Sequence, residues 1–125
     1  MRAFARPLVI ALAFASGASS AEAQDVAGGR TLFQQRCQMC HTVTPDGRNG
    51  IGPNLKDVVN RPAATAANYA YSAALKGYKQ RWTTDALERF LAAPGKVVPG
   101  TRMAIAVPDP SQRASVIAFL SSLGQ

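Results

Sequence analysis

Five consecutive residues, Cys37-Gln38-Met39-Cys40-His41, restrict what this chain can fold around. Their Cys-x-x-Cys-His spacing is typical of covalent attachment of a c-type haem. Two thiols separated by two residues can each add to one vinyl group of the same porphyrin, and the histidine that follows can ligate the iron. The sequence therefore predicts one haem c, bound covalently through Cys37 and Cys40 and ligated by His41.

Three other interpretations of the motif fit the sequence less well. The chain has two cysteines and one histidine, so it supplies three of the four nitrogen or sulfur ligands that a structural zinc site needs. A thioredoxin-like redox pair is expected beside a βαβ pattern, whereas the flanks of this motif are helical and rich in glycine and proline. A structural disulfide is compatible with the two cysteines, but it would leave His41 without a role.

The first 23 residues have the composition of a secretory signal peptide. Two arginines precede a short apolar run, small residues follow, and Ala21-Glu22-Ala23 matches a small-x-small cleavage site. The apolar run is too short for a typical membrane span, and an uncleaved membrane anchor is the alternative interpretation. We therefore expect residues 1–23 to be removed and residues 24–125 to form one small periplasmic domain without stable membrane insertion.

The charge of the chain indicates which partners it suits. The formal net charge is +7, and it falls to +6 without the predicted signal peptide, which contains two arginines and one glutamate. The basic residues are scattered and are not clustered with aromatic residues, so nucleic-acid binding is weakly supported. A moderately basic surface suits attraction to acidic protein partners, although solubility explains any single charge equally well.

Helical patterns separated by long loops, without strand-like runs, predict a small all-α fold. The predicted helices cover 25–39, 68–76, 84–92 and 110–123, and a short helical turn is expected over 54–60. Asp25, Thr83 or Thr84, and Asp109 are the expected N-terminal caps. Gly77 is the expected residue after the second helix.

A low-spin haem carrier needs a second axial ligand on the opposite face of the ring. A second histidine does not exist, which leaves three methionines. Met1 belongs to the predicted signal peptide, and Met39 lies in the attachment segment on the side of His41. Met103 lies in an extended loop that is long enough to cross the other face. Met103 is therefore the predicted sixth ligand, and a lysine ligand or an open five-coordinate iron are the alternatives.

Four segments of the chain resemble class I c-type cytochromes, the family of mitochondrial cytochrome c and its short bacterial relatives. In family order and spacing, they are residues 37–42, Gly52-Pro53-Asn54-Leu55, Trp82 and Pro99-Gly100-Thr101-Arg102-Met103. The resemblance implies the small monohaem cytochrome c fold, in which the N- and C-terminal helices cross and long loops wrap the haem. In that fold, the first helix crosses the last one, with Gly29 and Phe33 facing Val116 and Phe119.

The resemblance also implies roles for residues around the haem. The carbonyl of Pro53 is expected to accept a hydrogen bond from His41, and Thr101 is expected to stabilise the methionine loop. The residues expected to hold the haem propionates are Arg61, Tyr71 and Trp82. A solvated charge and two core aromatics are the alternative explanations for those three.

A one-electron carrier, and not an enzyme, is the function that the resemblance implies. Weak electrostatic docking of a monomer at the exposed haem edge is expected, with respiratory or dehydrogenase and oxidase partners and with Arg36, Lys96 and Arg102 near that edge. A haem peroxidase or gas sensor is one alternative, which would need an open or labile sixth site. A dedicated subunit of an oxidoreductase is the other.

Three positions depart from the mitochondrial pattern. They are Phe90 in place of a tyrosine, Gly95 in place of a docking lysine, and Ile105 in place of a phenylalanine near the haem edge. The glycine weakens any inference of a mitochondrial-type partner.

Overall fold

The computed structural model describes the backbone of residues 19–124 and the side chains from Asp25 onward. Its helices are α1 (Ser19–Arg36), α2 (Ala73–Tyr78), α3 (Thr84–Ala92), α4 (Pro94–Val97) and α5 (Pro110–Ser122). Over residues 19–124 there is no β-strand, and one antiparallel bridge joins Pro62 to Arg81. The predicted all-α fold is therefore confirmed. The predicted signal peptide lies largely outside the described residues.

Helices α1 and α5 cross in close contact at Gly29. A Cβ atom at this buried glycine would lie 1.8 Å from the carbonyl oxygen of Ser115 and 2.9 Å from the Cβ of Phe119. About one turn further along α1, the ring of Phe33 packs on that of Phe119, with the centroids 5.3 Å apart. The crossing of the terminal helices is thus present, and it depends on a residue without a side chain.

Helix α3 completes the core because one of its faces is apolar and packs on α5. The buried residues of that face are Ala86, Leu87, Phe90 and Leu91. Trp82 lies just before α3 and is 7% exposed, with its ring centroid 4.8 Å from that of Phe90 and 5.2 Å from that of Tyr78. Burying each large apolar side chain contributes about 1.5–3 kcal/mol, so this aromatic stack joins the loop before α3 firmly to the core.

Two predicted helix caps are present as expected. The hydroxyl of Thr83 accepts a hydrogen bond from the backbone N–H of Ala86 at 3.1 Å, and α3 begins at the next residue. The carboxylate of Asp109 accepts one from the N–H of Gln112 at 2.9 Å, and Pro110 is the first residue of α5. Both caps use contacts three residues apart, so they can be predicted from local sequence.

Other predicted boundaries are wrong. Asp25 lies inside α1, since the Ala- and Glu-containing residues before it also favour a helix. Helix α2 begins at Ala73 and not at the predicted residue 68, because the Ser72 hydroxyl caps it by accepting a hydrogen bond from the N–H of Leu75 at 3.1 Å. It continues through Gly77 and ends at Tyr78, because the next residue, Lys79, adopts a left-handed φ of 50°.

The loops also differ from the prediction. The segment 54–60 forms turns and not a helical turn, because Asp57 and Asn60 have φ values of 60° and 66°, which an α-helix does not allow. The single turn α4 was not predicted. It starts at Pro94, whose restricted φ suits the first position of a helix. No helix in the described part of the chain is both long enough and apolar enough to cross a membrane.

Candidate cofactor-binding site

The attachment motif forms tight turns directly after α1. The N–H of Cys37 donates to the carbonyl of Phe33 at 2.8 Å, and the N–H groups of Cys40 and His41 donate to the carbonyl of Cys37 at 3.0 and 2.9 Å. Both thiols are free and half-buried. Burial raises the pKa of the Cys37 thiol, and the charge of Arg36 partly opposes this effect. At neutral pH that thiol is therefore uncharged, as suits a group that packs beside an apolar ring.

The imidazole of His41 is prepared to bind a metal through one nitrogen. Its Nδ1 lies 2.8 Å from the carbonyl oxygen of Pro53. A carbonyl can only accept, so Nδ1 carries the proton and Nε2 keeps its lone pair. Burial lowers the pKa of His41, although the hydrogen bond to Pro53 acts in the opposite direction. The ring is therefore neutral at neutral pH, and Nε2 is available as a ligand.

Gly52 sets the plane of this imidazole. A Cβ atom at Gly52 would lie 2.6 Å from Cε1 and 2.8 Å from Nδ1 of His41. The N–H of Gly52 also donates to the carbonyl of Cys40 at 2.7 Å. The bare backbone thus lies against the ring and connects it to the attachment turn. In the sequence, Gly52 is marked only as part of the segment Gly52-Pro53-Asn54-Leu55, and this contact was not predicted.

Asn54 is a second residue of the site for which the sequence predicted no role, although it lies in the segment Gly52-Pro53-Asn54-Leu55. Its side chain is 4% exposed, and its amide nitrogen donates to the carbonyls of Thr44 and Arg48 at 3.0 and 3.1 Å. Its amide oxygen accepts from the N–H of Lys56 at 2.8 Å. Asn54 therefore holds the loop on which Pro53 presents its carbonyl. The resemblance marked the segment that contains Asn54, but an asparagine in a Gly- and Pro-rich stretch gives no local sign that folding buries its side chain.

Arg61 has an unsatisfied donor in this region. Its two terminal nitrogens donate to the carbonyls of Lys56 and Asn54 at 3.1 and 3.0 Å. Its Nε is buried without a hydrogen-bond partner. A buried N–H without an acceptor costs about 1–3 kcal/mol, so this position suits an anionic acceptor. A haem propionate is such an acceptor, and the orphaned Nε is an observation in favour of the predicted cofactor.

Trp82 and Tyr71 are the other two predicted propionate contacts. The backbone N–H of Trp82 donates to the carbonyl of Arg61 at 2.9 Å. The hydroxyl oxygen of Tyr71 accepts from the N–H of Ala66 at 2.9 Å, so its own proton is available to donate elsewhere. The fold thus brings Trp82 next to Arg61. The propionate role of the three residues remains a prediction.

Met103 lies on a loop between α4 and α5 and packs, half-buried, on the hydrophobic core that Cys37 also contacts. The N–H of Met103 donates to the hydroxyl of Thr101 at 3.3 Å. Thr101 therefore contacts the methionine backbone directly, as the loop-stabilising role requires. The role of Met103 as the sixth ligand remains a prediction.

The three basic residues expected near the haem edge differ in their contacts. Arg36 and Arg102 donate hydrogen bonds to backbone carbonyls of their own chain, those of Ala106 and Ala70. Lys96 lies exposed in α4. The first two guanidinium groups are therefore already engaged, which the sequence did not reveal.

The model of the cytochrome c family, described as "Cytochrome c", matches residues 26–124. This chain belongs to the cytochrome c family. It is 41% identical over 105 residues to cytochrome c2 of Rhodopila globiformis, a match that covers 83% of this chain and 98% of that protein. It is 36% identical over 105 residues to cytochrome c of Guizotia abyssinica, covering 83% and 95%.

A third relative is longer than this cytochrome. The cytochrome c-type cyt cy of Rhodobacter capsulatus is 38% identical over 100 residues, which cover 79% of this chain and 49% of that protein. The chain therefore spans about half the length of that relative and nearly the full length of the two others.

Family membership establishes the cofactor and the class of activity. Members of the cytochrome c family bind one covalent haem c and are electron-transfer proteins, not enzymes. The residues of this chain fit that group, because two free thiols, an imidazole with a free Nε2 and an orphaned guanidinium N–H lie on connected segments.

Proposed function

We propose that this cytochrome is an exported, periplasmic one-electron carrier in which His41 and Met103 are the axial ligands of a haem held by Cys37 and Cys40. The observation that carries the proposal is the 2.8 Å hydrogen bond between His41 Nδ1 and the carbonyl of Pro53. This hydrogen bond leaves Nε2 of His41 free to bind iron. His41 directly follows Cys40, which carries the second thiol.

The bound haem supplies the chemistry, a single electron exchanged between ferrous and ferric iron. The protein has to keep the same two ligands in both states, and several contacts serve that purpose. Pro53 and Gly52 restrict the imidazole of His41 in tilt and rotation. The thioether of Met103 favours the ferrous state and raises the reduction potential. An apolar surrounding acts in the same direction, because it disfavours the extra charge of ferric iron.

Arg61 is the strongest candidate for a propionate contact. Its buried Nε lacks an acceptor, while its other two nitrogens are already bonded and hold the guanidinium in place. A charged donor fixed in this way gives a shorter and stronger hydrogen bond to a carboxylate than a neutral one does. The hydroxyl proton of Tyr71 and the indole N–H of Trp82 would add two neutral donors.

Partner docking would occur close to the attachment segment. Three large apolar side chains are unusually exposed there or on the methionine loop: Met39 at 81%, Ile51 at 77% and Ile105 at 48%. Together with the exposed Lys96, they suit brief contact with an acidic redox protein.

Exposed apolar groups also suit a permanent subunit of an oxidoreductase. Size-exclusion chromatography of the purified protein from its native host separates the two, since a carrier elutes as a monomer and a subunit elutes with its complex.

Replacing Met103 by Ala tests the carrier function. In the wild type, haem should remain with the polypeptide after acid–acetone extraction, and the ferric protein should show the weak near-infrared absorption of methionine ligation. The variant should lose that absorption, have a lower reduction potential, and bind carbon monoxide readily when ferrous. Rapid binding of carbon monoxide by the wild type at neutral pH would instead favour a sensor or a peroxidase.

Export has a separate test. The predicted cleavage site follows Ala23, so N-terminal sequencing of the mature protein should begin at Gln24, and the protein should be found in the periplasmic fraction. A mature protein that retains its first 23 residues would favour the membrane-anchor alternative.

A further inference from the structure

Met39 is the most exposed sulfur-containing residue in the part of the chain whose side chains the structure describes. The sequence has two cysteines and three methionines, and Met1 lies outside the described residues. Met39 is 81% exposed, whereas Cys37 and Met103 pack against the hydrophobic core and Cys40 is half-buried. An oxidant in solution therefore meets the sulfur of Met39 before that of the other three.

The other three sulfur atoms gain further protection when haem is bound. Attachment would bond the sulfur atoms of Cys37 and Cys40 to branched carbons of the haem, which hinder the approach of an oxidant. In the proposed function, Met103 donates to iron the lone pair that an oxidant would attack. Met39 has neither protection, because its thioether is unbranched on both sides.

Met39 belongs to an exposed apolar surface beside the attachment motif. The N–H of Gly52 donates to the carbonyl of Cys40 at 2.7 Å, and a Cβ atom at Gly50 would lie 2.6 Å from that carbonyl oxygen. The segment from Gly50 to Gly52 therefore lies against the residue that follows Met39. Ile51, in the middle of this segment, is 77% exposed. We call Met39 and Ile51 the apolar patch.

We propose that Met39 is a site of reversible oxidation by peroxide, and that its sulfoxide weakens docking of a redox partner at the apolar patch. The inference rests on the proposed function, since it takes this region as the docking surface and Met103 as an iron ligand. The lone pair of the Met39 sulfur forms a bond to one oxygen of hydrogen peroxide, and the O–O bond breaks. The second oxygen leaves as hydroxide and takes the proton of the first, which forms water. The sulfur loses two electrons, and these reduce the peroxide.

The sulfoxide changes the patch because it replaces an apolar sulfur by a polar S=O group. In solution, the oxygen of this group accepts hydrogen bonds from water. A partner whose contact surface is apolar removes those hydrogen bonds without replacing them, which lowers its affinity about tenfold. Reduction of the sulfoxide to the thioether makes the patch apolar again, so the modification acts as a switch.

Peptide mapping after treatment of the holoprotein with hydrogen peroxide tests the oxidation. Trypsin places Met39 in peptide 37–48 and Met103 in peptide 103–113. At a peroxide dose that leaves the haem absorption unchanged, peptide 37–48 should gain one oxygen atom roughly tenfold faster than peptide 103–113. M39L keeps an apolar side chain of similar volume. This variant should abolish the gain, which separates Met39 from the two cysteines in the same peptide.

Adsorption of the holoprotein to gold electrodes, at a protein concentration below saturation, tests the effect on docking. A monolayer of methyl-terminated alkanethiol is the probe for apolar docking. A carboxylate-terminated monolayer is the control, because it binds cations such as the exposed Lys96. Oxidation of the wild type should lower the electroactive coverage on the methyl surface about tenfold. The coverage on the carboxylate surface should not change.

Variants of the patch show whether the sulfur atom is responsible. M39Q should adsorb to the methyl surface as weakly as oxidised wild type, and peroxide should not change the adsorption of M39L. The double variant M39L/I51M moves the thioether to the neighbouring exposed position, so it should regain the sensitivity to peroxide. Methionine sulfoxide reductases of both stereospecificities, supplied with a thiol reductant, should restore the coverage of oxidised wild type.

The outcomes separate this inference from the proposed function. If the wild type shows the near-infrared absorption of methionine ligation, but peptide 37–48 gains oxygen no faster than peptide 103–113, the inference is overturned and the carrier function stands. If Met39 is oxidised and the coverage on the methyl surface stays the same, the switch is overturned. If oxidation removes the near-infrared absorption as fast as it lowers the coverage, loss of Met103 explains the effect and the switch is again overturned. If the untreated wild type lacks the absorption, Met103 is not the ligand and both proposals fail.

Discussion

Replacing Gly29 by Ala should destabilise the protein, because the added methyl group meets the backbone of the facing helix. The new Cβ would lie 1.8 Å from the carbonyl oxygen of Ser115, whereas a carbon and a carbonyl oxygen ordinarily approach to about 3.3 Å. Helix α1 would have to move by roughly 1.5 Å. The obstacle is backbone, so no change of rotamer relieves the clash.

The size of the effect follows from the gap that this movement would open between α1 and α5. A gap of about 0.5–1 Å already removes a quarter to a half of the dispersion attraction between packed atoms, and the Phe33–Phe119 contact lies at this crossing. Overpacking a core costs about 1–3 kcal/mol, occasionally more. Alanine in place of glycine within a helix returns about 1 kcal/mol. Because the clash is with backbone, the upper end of the overpacking range applies, and we expect a net loss of about 2 kcal/mol in the free energy of unfolding.

Gly28 is the matched control, since a Cβ atom there meets nothing within 4 Å. Gly28→Ala should stabilise the protein by up to about 1 kcal/mol through helix propensity alone. Guanidinium unfolding of both holoprotein variants, followed by far-ultraviolet circular dichroism, measures the two effects. The reasoning is refuted if Gly29→Ala unfolds at or above the wild-type midpoint, or if both variants shift in the same direction.

Three further predictions concern the site and its loop. Gly52→Ala should tilt the imidazole of His41 and weaken its hydrogen bond, so the reduction potential should rise as the ligand becomes less basic, and an unchanged voltammogram would contradict this. Cys40→Ala should leave one thioether and little mature protein, and a haem spectrum in alkaline pyridine that is identical to that of the wild type would show that Cys40 is not an attachment site. Hydrogen bonds from the Thr44 hydroxyl and from Arg48 lower the pKa of Asp46 from 3.8 to about 2. This carboxylate therefore contributes stability that is present above pH 3.8 and is lost as the pH falls towards about 2, and Asp46→Asn should flatten the pH dependence of denaturant unfolding in that window.

The sequence by itself determined the chemistry of the site. Attachment requires two thiols and a histidine within five residues, and such spacing is visible without a fold. The sequence also predicted Met103 as the sixth ligand by elimination, because the chain has one histidine and its other methionines occupy unsuitable positions. The caps at Thr83 and Asp109 were also predictable, since each contact spans three residues.

The tertiary structure decided the contacts that hold those groups in place. Pro53 and His41 are twelve residues apart, and the packing of Gly52 against the imidazole exists only once that loop has closed. Asparagine is a common turn residue, and only folding buries Asn54 among the carbonyls of the same loop.

The arginines show the difference most clearly. From the sequence alone, Arg36 and Arg102 were predicted to be surface charges that attract a partner. Their hydrogen-bond acceptors lie 70 and 32 residues away along the chain, at Ala106 and Ala70. A charge is a property of one residue and can be counted in a sequence. The carbonyl to which that charge donates depends on which segments the fold brings together, so these contacts emerged only from the tertiary structure.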